Sequence, residues 1–393
     1  MKKFKYIDLF SGIGGFHIAM DELGGECVFS SEIDEYAIDT YNKNFNIDSN
    51  HDIRKINPSN IPYYDVMCAG FPCQAFSKAG KQQGFKDETK GTLFFGIERL
   101  LRYRVVINKP VKYIMLENVS NLVSHDHGRT WKIIKKHLVE LGYELTENPI
   151  LMSPHQLKIP QLRSRVFILG IHNSFNERTK INTPESLLSK RNINDAYSIL
   201  INHRVAKKYY ISDYEKYVLN AWNEFYKNIN EKVIGFPIWA SEFNDKPVNP
   251  DFPAWKQTFV KKNKKLYHNN KVFIDQWLEK YNQLNTFVET HKKFEWQAGT
   301  HIKSIWDGLI QFRPSGIRVK RPSEFPALVA MVHIPIIGKY KRRITPREAA
   351  RLQSFPDDFI INSNDQQAYK QFGNSVNVDV IRYLAQQLIK VRT

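Results

Sequence analysis

The chain has 393 residues, 42% hydrophobic and 13% aromatic, enough to build packed cores and more than one domain. Its net charge of +17 favours a polyanionic partner through counterion release, with nucleic acid first among them; a composition merely rich in Lys, Asn and Ile is the competing account. No apolar run of about 18 residues occurs and Asp8 interrupts the segment behind Lys2, Lys3 and Lys5, so neither a membrane span nor a signal peptide is expected and the protein reads as cytoplasmic.

From residue 4 to residue 170, short apolar runs alternate with turn signals and longer amphipathic segments, the pattern of an α/β domain with a mainly parallel sheet. The spacing predicts strands over 5–10, 26–32, 64–69, 113–117 and 165–170, and helices over 15–23, 35–45 and 130–141. Residues 8–20, DLFSGIGGFHIAM, order a strand, a glycine-rich turn and a helix start, which lets backbone approach a nucleotide-like ligand at the carboxyl edge of a sheet. The dinucleotide fingerprint requires a third glycine where His17 stands, which argues against a pyrophosphate. The next strand ends in SEID, where Glu32 can accept hydrogen bonds from ribose hydroxyls. A ribose-bearing cofactor without a pyrophosphate fits, and S-adenosylmethionine is one. Asp52, in HDI, can receive an adenine amino group or stand in a surface turn.

Residues 68–80, CAGFPCQAFSKAG, hold two of the three cysteines, which match neither a disulfide framework nor a zinc spacing. Cys68 lies inside an apolar run and reads as core. Cys73 follows Pro72 at the end of that run and is either a small residue at a tight turn or a nucleophile, the thiolate being the side chain best suited to covalent catalysis near neutral pH. In YIMLENVSNL, four apolar residues lead into Glu117, a proton donor if burial raises its pKa or a carboxylate capping the next turn. His125-Asp126-His127 falls in the loop beyond, and no metal is assigned to it. IPQLRSRVFILG puts Arg163 and Arg165 at period two before a strand, a pair suited to a carbonyl, carboxylate or phosphate, with surface solubility as the alternative.

Between about residues 173 and 340, Lys, Asn and aromatic residues dominate and the strand–helix alternation is lost, which marks a second module. Ser212 with Glu215 reads as a capping box, and Tyr214, Val218, Ala221, Trp222 and Phe225 recur at helical spacing as a buried face. Lys261 to Lys265 reads as a solvated run. Helical pattern resumes over 346–352 and 376–390.

DLFSGIGGF, GFPCQAFS, ENV, QLRSR, RRITPREAARLQSFPDDF and GNSV, in this order, resemble the cytosine-C5 DNA methyltransferases of bacterial restriction–modification systems. The resemblance covers residues 6–170 and 342–384. It implies a Rossmann-like, S-adenosylmethionine-dependent α/β catalytic domain over 1–180, a smaller, irregular target-recognition domain over 181–365, and a segment over 366–393 that returns to the catalytic domain. It implies that Cys73 attacks C6 of a flipped cytosine, that Glu117 holds and protonates N3, and that Arg165 holds O2 with Arg163 in support. Cofactor positions are Phe10, Gly12, Gly14, Glu32, Ile33, Asp52, Ile53, Pro72, Asn374 and Ser375. Residues 77–95 correspond to a mobile active-site loop, with Ser77 and Lys81 on the DNA side. Double-stranded DNA is the implied partner, a restriction endonuclease the functional counterpart, and a monomer the implied state.

The family's Thr-Leu or Thr-Val pair is replaced here by Ala327-Leu328, so the phosphate contact of that threonine does not transfer. FRPSGIRVKR, residues 312–321, offers Arg313, Arg318, Lys320 and Arg321 to groove or backbone, with a solvated charged loop as the alternative. An RNA-directed relative with the same catalytic motifs is disfavoured by the large middle module. A binding-only descendant has no chemical need for Cys73, Glu117, Arg163 and Arg165 together, and His17 and Cys73 disfavour a nicotinamide dehydrogenase.

Overall fold

The computed structural model describes residues 4–72, 92–177, 181–183, 195–231, 235–328 and 333–390. Two compact units emerge: residues 1–190, 327–331 and 349–393 in the first, residues 191–326 and 332–348 in the second.

The first unit opens with β1 (Phe4–Leu9), α1 (Gly15–Glu22), β2 (Gly25–Ser31), α2 (Glu35–Phe45), β3 (Val66–Gly70), α3 (Thr92–Val106), β4 (Tyr113–Val119) and α4 (Arg129–Glu140). β5 (Tyr143–Leu145), β6 (Ile150–Met152), β7 (Gln161–Leu162) and β8 (Arg165–His172) follow. Near-continuous burial of β1, β3 and β4 is what a parallel sheet covered on both faces demands. The sheet runs β2-β1-β3-β4-β8-β5, with β6 also on β8. The first three pairings are parallel, and β8 turns the far edge antiparallel. Because β2 lies on one side of β1 and β3 on the other, the strand order reverses beside β1, where a crevice opens at the carboxyl ends. Ile7, Leu9, Met67, Ala69, Ile114 and Leu116 are fully buried beneath it.

Local chemistry starts and stops these elements. Gly14, left-handed at φ 88°, is the N-cap of α1, and a Cβ there would lie 2.2 Å from the Phe45 ring. The Asp34 side chain accepts from the amides of Tyr36 and Ala37 to cap α2. Helix α3 starts at Thr92 and buries Phe94, so the segment expected as loop to residue 95 is already helical there; residues 73–91 lie outside the described residues.

The chain touches the first unit at 327–331 and rejoins it from residue 349, where a return at 366 was expected. Phe355 and Phe359 pack with Phe372, and Asn44 exchanges hydrogen bonds with the backbone of Ile360, which ties 349–365 to this unit. Helices α9 (Asp365–Asn374) and α10 (Val378–Ile389) complete it, capped by Asn364 and Asn377.

The second unit contains α5 (Asp213–Asn228), β9 (Ile238–Trp239), α6 (Ala254–Asn269), α7 (Lys271–Lys280), β10 (Lys293–Gln297), β11 (Leu309–Arg313), β12 (Gly316–Lys320), β13 (Phe325–Pro326), β14 (Ile336–Ile337), β15 (Arg342–Arg343) and the start of α8 (Pro346–Leu352). It is more regular than its composition suggested: a six-stranded sheet runs β15-β14-β11-β12-β10-β9. Only β10, β11 and β12 reach five residues; β9, β14 and β15 have two each, and no regular strand–helix alternation links them in the chain. Ser212 and Glu215 form the expected capping box on α5. Trp222 and Phe225 are buried against Trp277 and Phe294, whereas Tyr214 lies outside that core and accepts a hydrogen bond from the Val288 amide. Among the described residues no helix is long and apolar enough to cross a membrane.

Candidate active site

A cavity of about 410 Å³ opens at the carboxyl ends of β1 to β4, within the size range of small-molecule sites. Its wall gathers Phe10, Gly12, Glu32, Ile33, Asp52, Ile53, Pro72, Glu117, Arg163, Arg165, Asn374 and Ser375 from segments far apart in the chain. Gly14 does not line it. That glycine is required one step back, by the left-handed helix start and the closeness of Phe45. Cys73 lies outside the described residues, next in sequence to Pro72.

Phe10 holds φ at 56°, a left-handed conformation that a bulky side chain adopts only under constraint. The turn that follows it is tied down by the Ser11 amide donating to the Ser31 carbonyl and by Glu32. Its Oε2 accepts from the Gly12 amide at 2.9 Å, and its Oε1 from the amides of Ile33 and Asp34 at 2.7 and 2.9 Å. The carboxylate thereby ties the turn after β1 to the turn after β2. Beside it, Ile33 is 63% exposed at the cavity wall, an apolar surface suited to a flat ring. His17, where a dinucleotide site would have glycine, is buried: it stacks on Phe45, shares a 2.6 Å hydrogen bond with the Tyr41 hydroxyl, and meets Asp21 at 3.1 Å.

Asp52 is gripped by Arg54, whose Nε and Nη2 donate at 2.9 and 2.6 Å, and this pairing holds its carboxyl below the usual range. Arg54, His51 and Lys370 line the cavity without having been singled out by the motifs. Lys370, on α9, meets Asp34 at 2.8 Å and closes one side of the wall.

The opposite side carries the titratable machinery. Parallel pairing sets Gly70 beside Glu117, so the ends of β3 and β4 arrive together. The buried Asn118 side chain donates to the Phe71 carbonyl at 2.9 Å and anchors the turn that carries Pro72. Asn118 is the positioning residue that the sequence reading missed; its place inside ENV was the available signal. Burial raises the Glu117 pKa, opposed first by Arg165 and then by Arg163, and Arg165 Nε stands 3.1 Å from its Oε1.

The two arginines do not act alike. Arg163 is 3% exposed and spends its guanidinium on backbone: Nη1 donates to the Leu328 carbonyl at 2.9 Å, Nη2 to Gly373 and Ser375 at 2.9 and 2.8 Å. Burial and then the neighbouring Arg165 bring its pKa down to about 9. Through its Nη groups it braces the QLRSR turn against the GNS segment, while its Nε, buried at the cavity wall, has no hydrogen-bond partner among the described residues. Leu328, at the position of the family's phosphate-binding dipeptide, is part of that brace.

Of the expected DNA contacts, Ser77 and Lys81 lie outside the described residues. Residues 312–321 are no solvated loop: β11 and β12 pair antiparallel as a hairpin carrying Arg313, Arg318 and Lys320, with Arg321 exposed just beyond. In the lysine run, Lys264 is tied to Asn244 while Lys261, Lys262 and Lys265 are exposed.

The strand order, the switch-point cavity and the carboxylate beside its glycine turn define a Rossmann-like methyltransferase architecture. Its backbone matches that of the S. pombe Dnmt2 methyltransferase with a TM-score of 0.54 over 98% of each chain, at 20% identity. The Type II methyltransferase M.BanI of Aneurinibacillus aneurinilyticus is 35% identical over 429 residues, 99% of this chain and 96% of that one. M.HpaII of Haemophilus parainfluenzae is 35% identical over 395 residues, 99% of this chain and 90% of that one. The model of the C-5 cytosine-specific DNA methylases matches residues 4–390, and the chain belongs to that family: it is a DNA (cytosine-5-)-methyltransferase.

Proposed function

We propose that the cavity binds S-adenosylmethionine beside a cytosine flipped out of duplex DNA, and that the protein methylates a short specific sequence as the protective partner of a restriction endonuclease. The observation that carries this reading is Glu117, buried at a strand end with a raised pKa, one residue pair away from the turn that leads into Cys73. The donor set fits the cofactor: Glu32 for ribose hydroxyls, Asp52 oriented by Arg54 for an adenine amino group, and Ile33 and the strained Phe10 for the flat base. When bound, the cofactor supplies an electrophilic methyl group.

The chain's own residues prepare the acceptor. The Cys73 thiolate adds to C6 of the cytosine, and the displaced electron pair of the 5,6 double bond moves toward C5. Glu117, whose proton affinity burial raises, donates to N3 and neutralises charge as it develops. Arg165, fixed by Glu117, offers its remaining N–H groups to O2. After C5 is methylated, loss of the C5 proton to water returns electrons to the ring and expels the thiolate, and N3 gives its proton back to Glu117. The scheme calls on one copy of the chain, and a monomer is the state proposed. The reading also treats 349–393 as catalytic and the second unit as the target-recognition module.

The test is transfer of labelled methyl from S-adenosylmethionine to unmethylated duplex DNA, with 5-fluorocytosine duplex as a trap. Label at C5 and a protein–DNA adduct through Cys73 are expected. Label on RNA alone would overturn the substrate, and an adduct on another residue would overturn the nucleophile.

A further inference from the structure

The second unit carries a polar sheet face that methyl transfer does not use. Alternation along β10, β11 and β12 sends Phe294, Trp296, Ile310, Ile317 and Val319 into the core and leaves Glu295, Gln311, Arg313, Arg318 and Lys320 on the other side. Register sets Arg318 between Glu295 on one neighbouring strand and Gln311 on the other. Glu295 Oε2 meets Arg313 Nη2 at 2.5 Å and Arg318 Nε at 3.1 Å. Arg313 Nε is buried with no hydrogen-bond partner among the described residues. Burial works against the charges of Arg313 and Lys320, and Lys320 makes no ion pair at contact distance among the described residues.

Half-buried cations around one carboxylate are a costly way to hold a sheet, since apolar side chains of similar size pack without the desolvation. What the arrangement does supply is orientation: two planar forks and an acceptor, fixed relative to one another on rigid strands. We propose that this face reads a G·C pair of the target sequence through the major groove, with Glu295 as the positioning residue for Arg313 and Arg318. The proposal rests on the DNA-methylating function proposed above. A guanidinium fork matches guanine O6 and N7, and a carboxylate accepts from the N4 amino group of the paired cytosine. A phosphate would meet the same arginines but be repelled by Glu295, which favours a base edge over the backbone.

The experiment expresses the wild type, Glu295→Gln, Arg318→Ala and Arg318→Lys in a host without cytosine methylation, and maps 5-methylcytosine across its genome by bisulfite sequencing. Melting temperature and S-adenosylhomocysteine affinity are measured on each purified protein. The wild type is expected to mark one consensus containing a guanine. The variants are expected to relax that guanine, raising off-consensus relative to consensus methylation on the order of ten-fold or more. Arg318→Lys keeps the charge and most of the packing stem, so it should melt like the wild type and still relax the position; wild-type fidelity in that variant overturns the proposal. An unchanged consensus with uniformly weaker, more salt-sensitive methylation assigns phosphate contacts and also overturns it. A wild type that leaves no methylcytosine overturns the methylation function itself, and this proposal with it.

Discussion

Each unit sets two arginines around one glutamate, and the two sets are wired differently. In the first, Arg163 gives its Nη groups to three backbone carbonyls, so Glu117 has its contact ion pair with Arg165, feels Arg163 only at longer range, and burial prevails over both in setting its proton affinity. In the second, Arg313 and Arg318 both converge on Glu295. A carboxyl with one partner can hold a proton and pass it on; a carboxylate with two is a fixed anchor for donors. Residue type is the same in both places, and what the partners do with their remaining N–H groups decides the chemistry.

The largest expected effect tests the first set. Cys73→Ser should abolish methyl transfer while duplex binding persists in a gel-shift assay; full activity would remove the nucleophile from the scheme. Glu117→Gln should lower kcat by about 100- to 10,000-fold with little change in sequence preference. That is the reverse of what Glu295→Gln should do, and similar kinetic and fidelity profiles for the two variants would collapse the comparison.

Arg163→Met should cost roughly 3–5 kcal/mol in urea unfolding, because the carbonyls of Leu328, Gly373 and Ser375 lose a buried charged donor. A loss of turnover at wild-type stability would instead return Arg163 to the catalytic set. Gly14→Ala should cost at least about 1–2 kcal/mol, since φ 88° and the Phe45 ring both resist a Cβ. Gly12→Ala, with φ 54° and open space around it, should cost less, and equal losses would show that the ring gives way.

The smallest effect is in pH dependence. Burial raises the Glu117 pKa in the folded chain above its unfolded value of about 4.3. The stability linked to that proton is full below the unfolded pKa and is lost as pH rises through the raised folded one. Glu117→Gln should therefore gain stability relative to the wild type as pH rises through that window; parallel pH–stability curves would place the carboxylate in an ordinary environment.

The catalytic half was legible because its signals are local. β1, β3 and β4 read as near-continuous apolar runs, and Phe10, Glu32 and Pro72 stand within a few residues of a strand end, so type and place were visible together. The edge formed by β5, β6 and β8 was partly missed, since three-residue strands carry no readable period. The sheet of the second unit went unread for another reason: its pairings join β9 to β10 and β11 to β14 across long stretches of chain, and its edge strands have two residues each. Arg54 and Lys370 escaped notice because surface-type residues become wall residues only once the fold brings them to Asp52 and Asp34.

By itself, then, the sequence determined the α/β class, the parallel strands, the presence of a second module, and which carboxylate, thiol and arginines are the candidates for methyl transfer, because covalent spacing and hydrophobic period are properties of neighbouring residues. Tertiary structure decided what each charged group is free to do. It turned Arg163 into a strut, withdrew Gly14 from the cavity wall, and gathered Arg313 and Arg318 onto Glu295. The physical reason is that proton affinity, hydrogen-bonding capacity and the cost of a buried charge depend on surroundings assembled from distant parts of the chain.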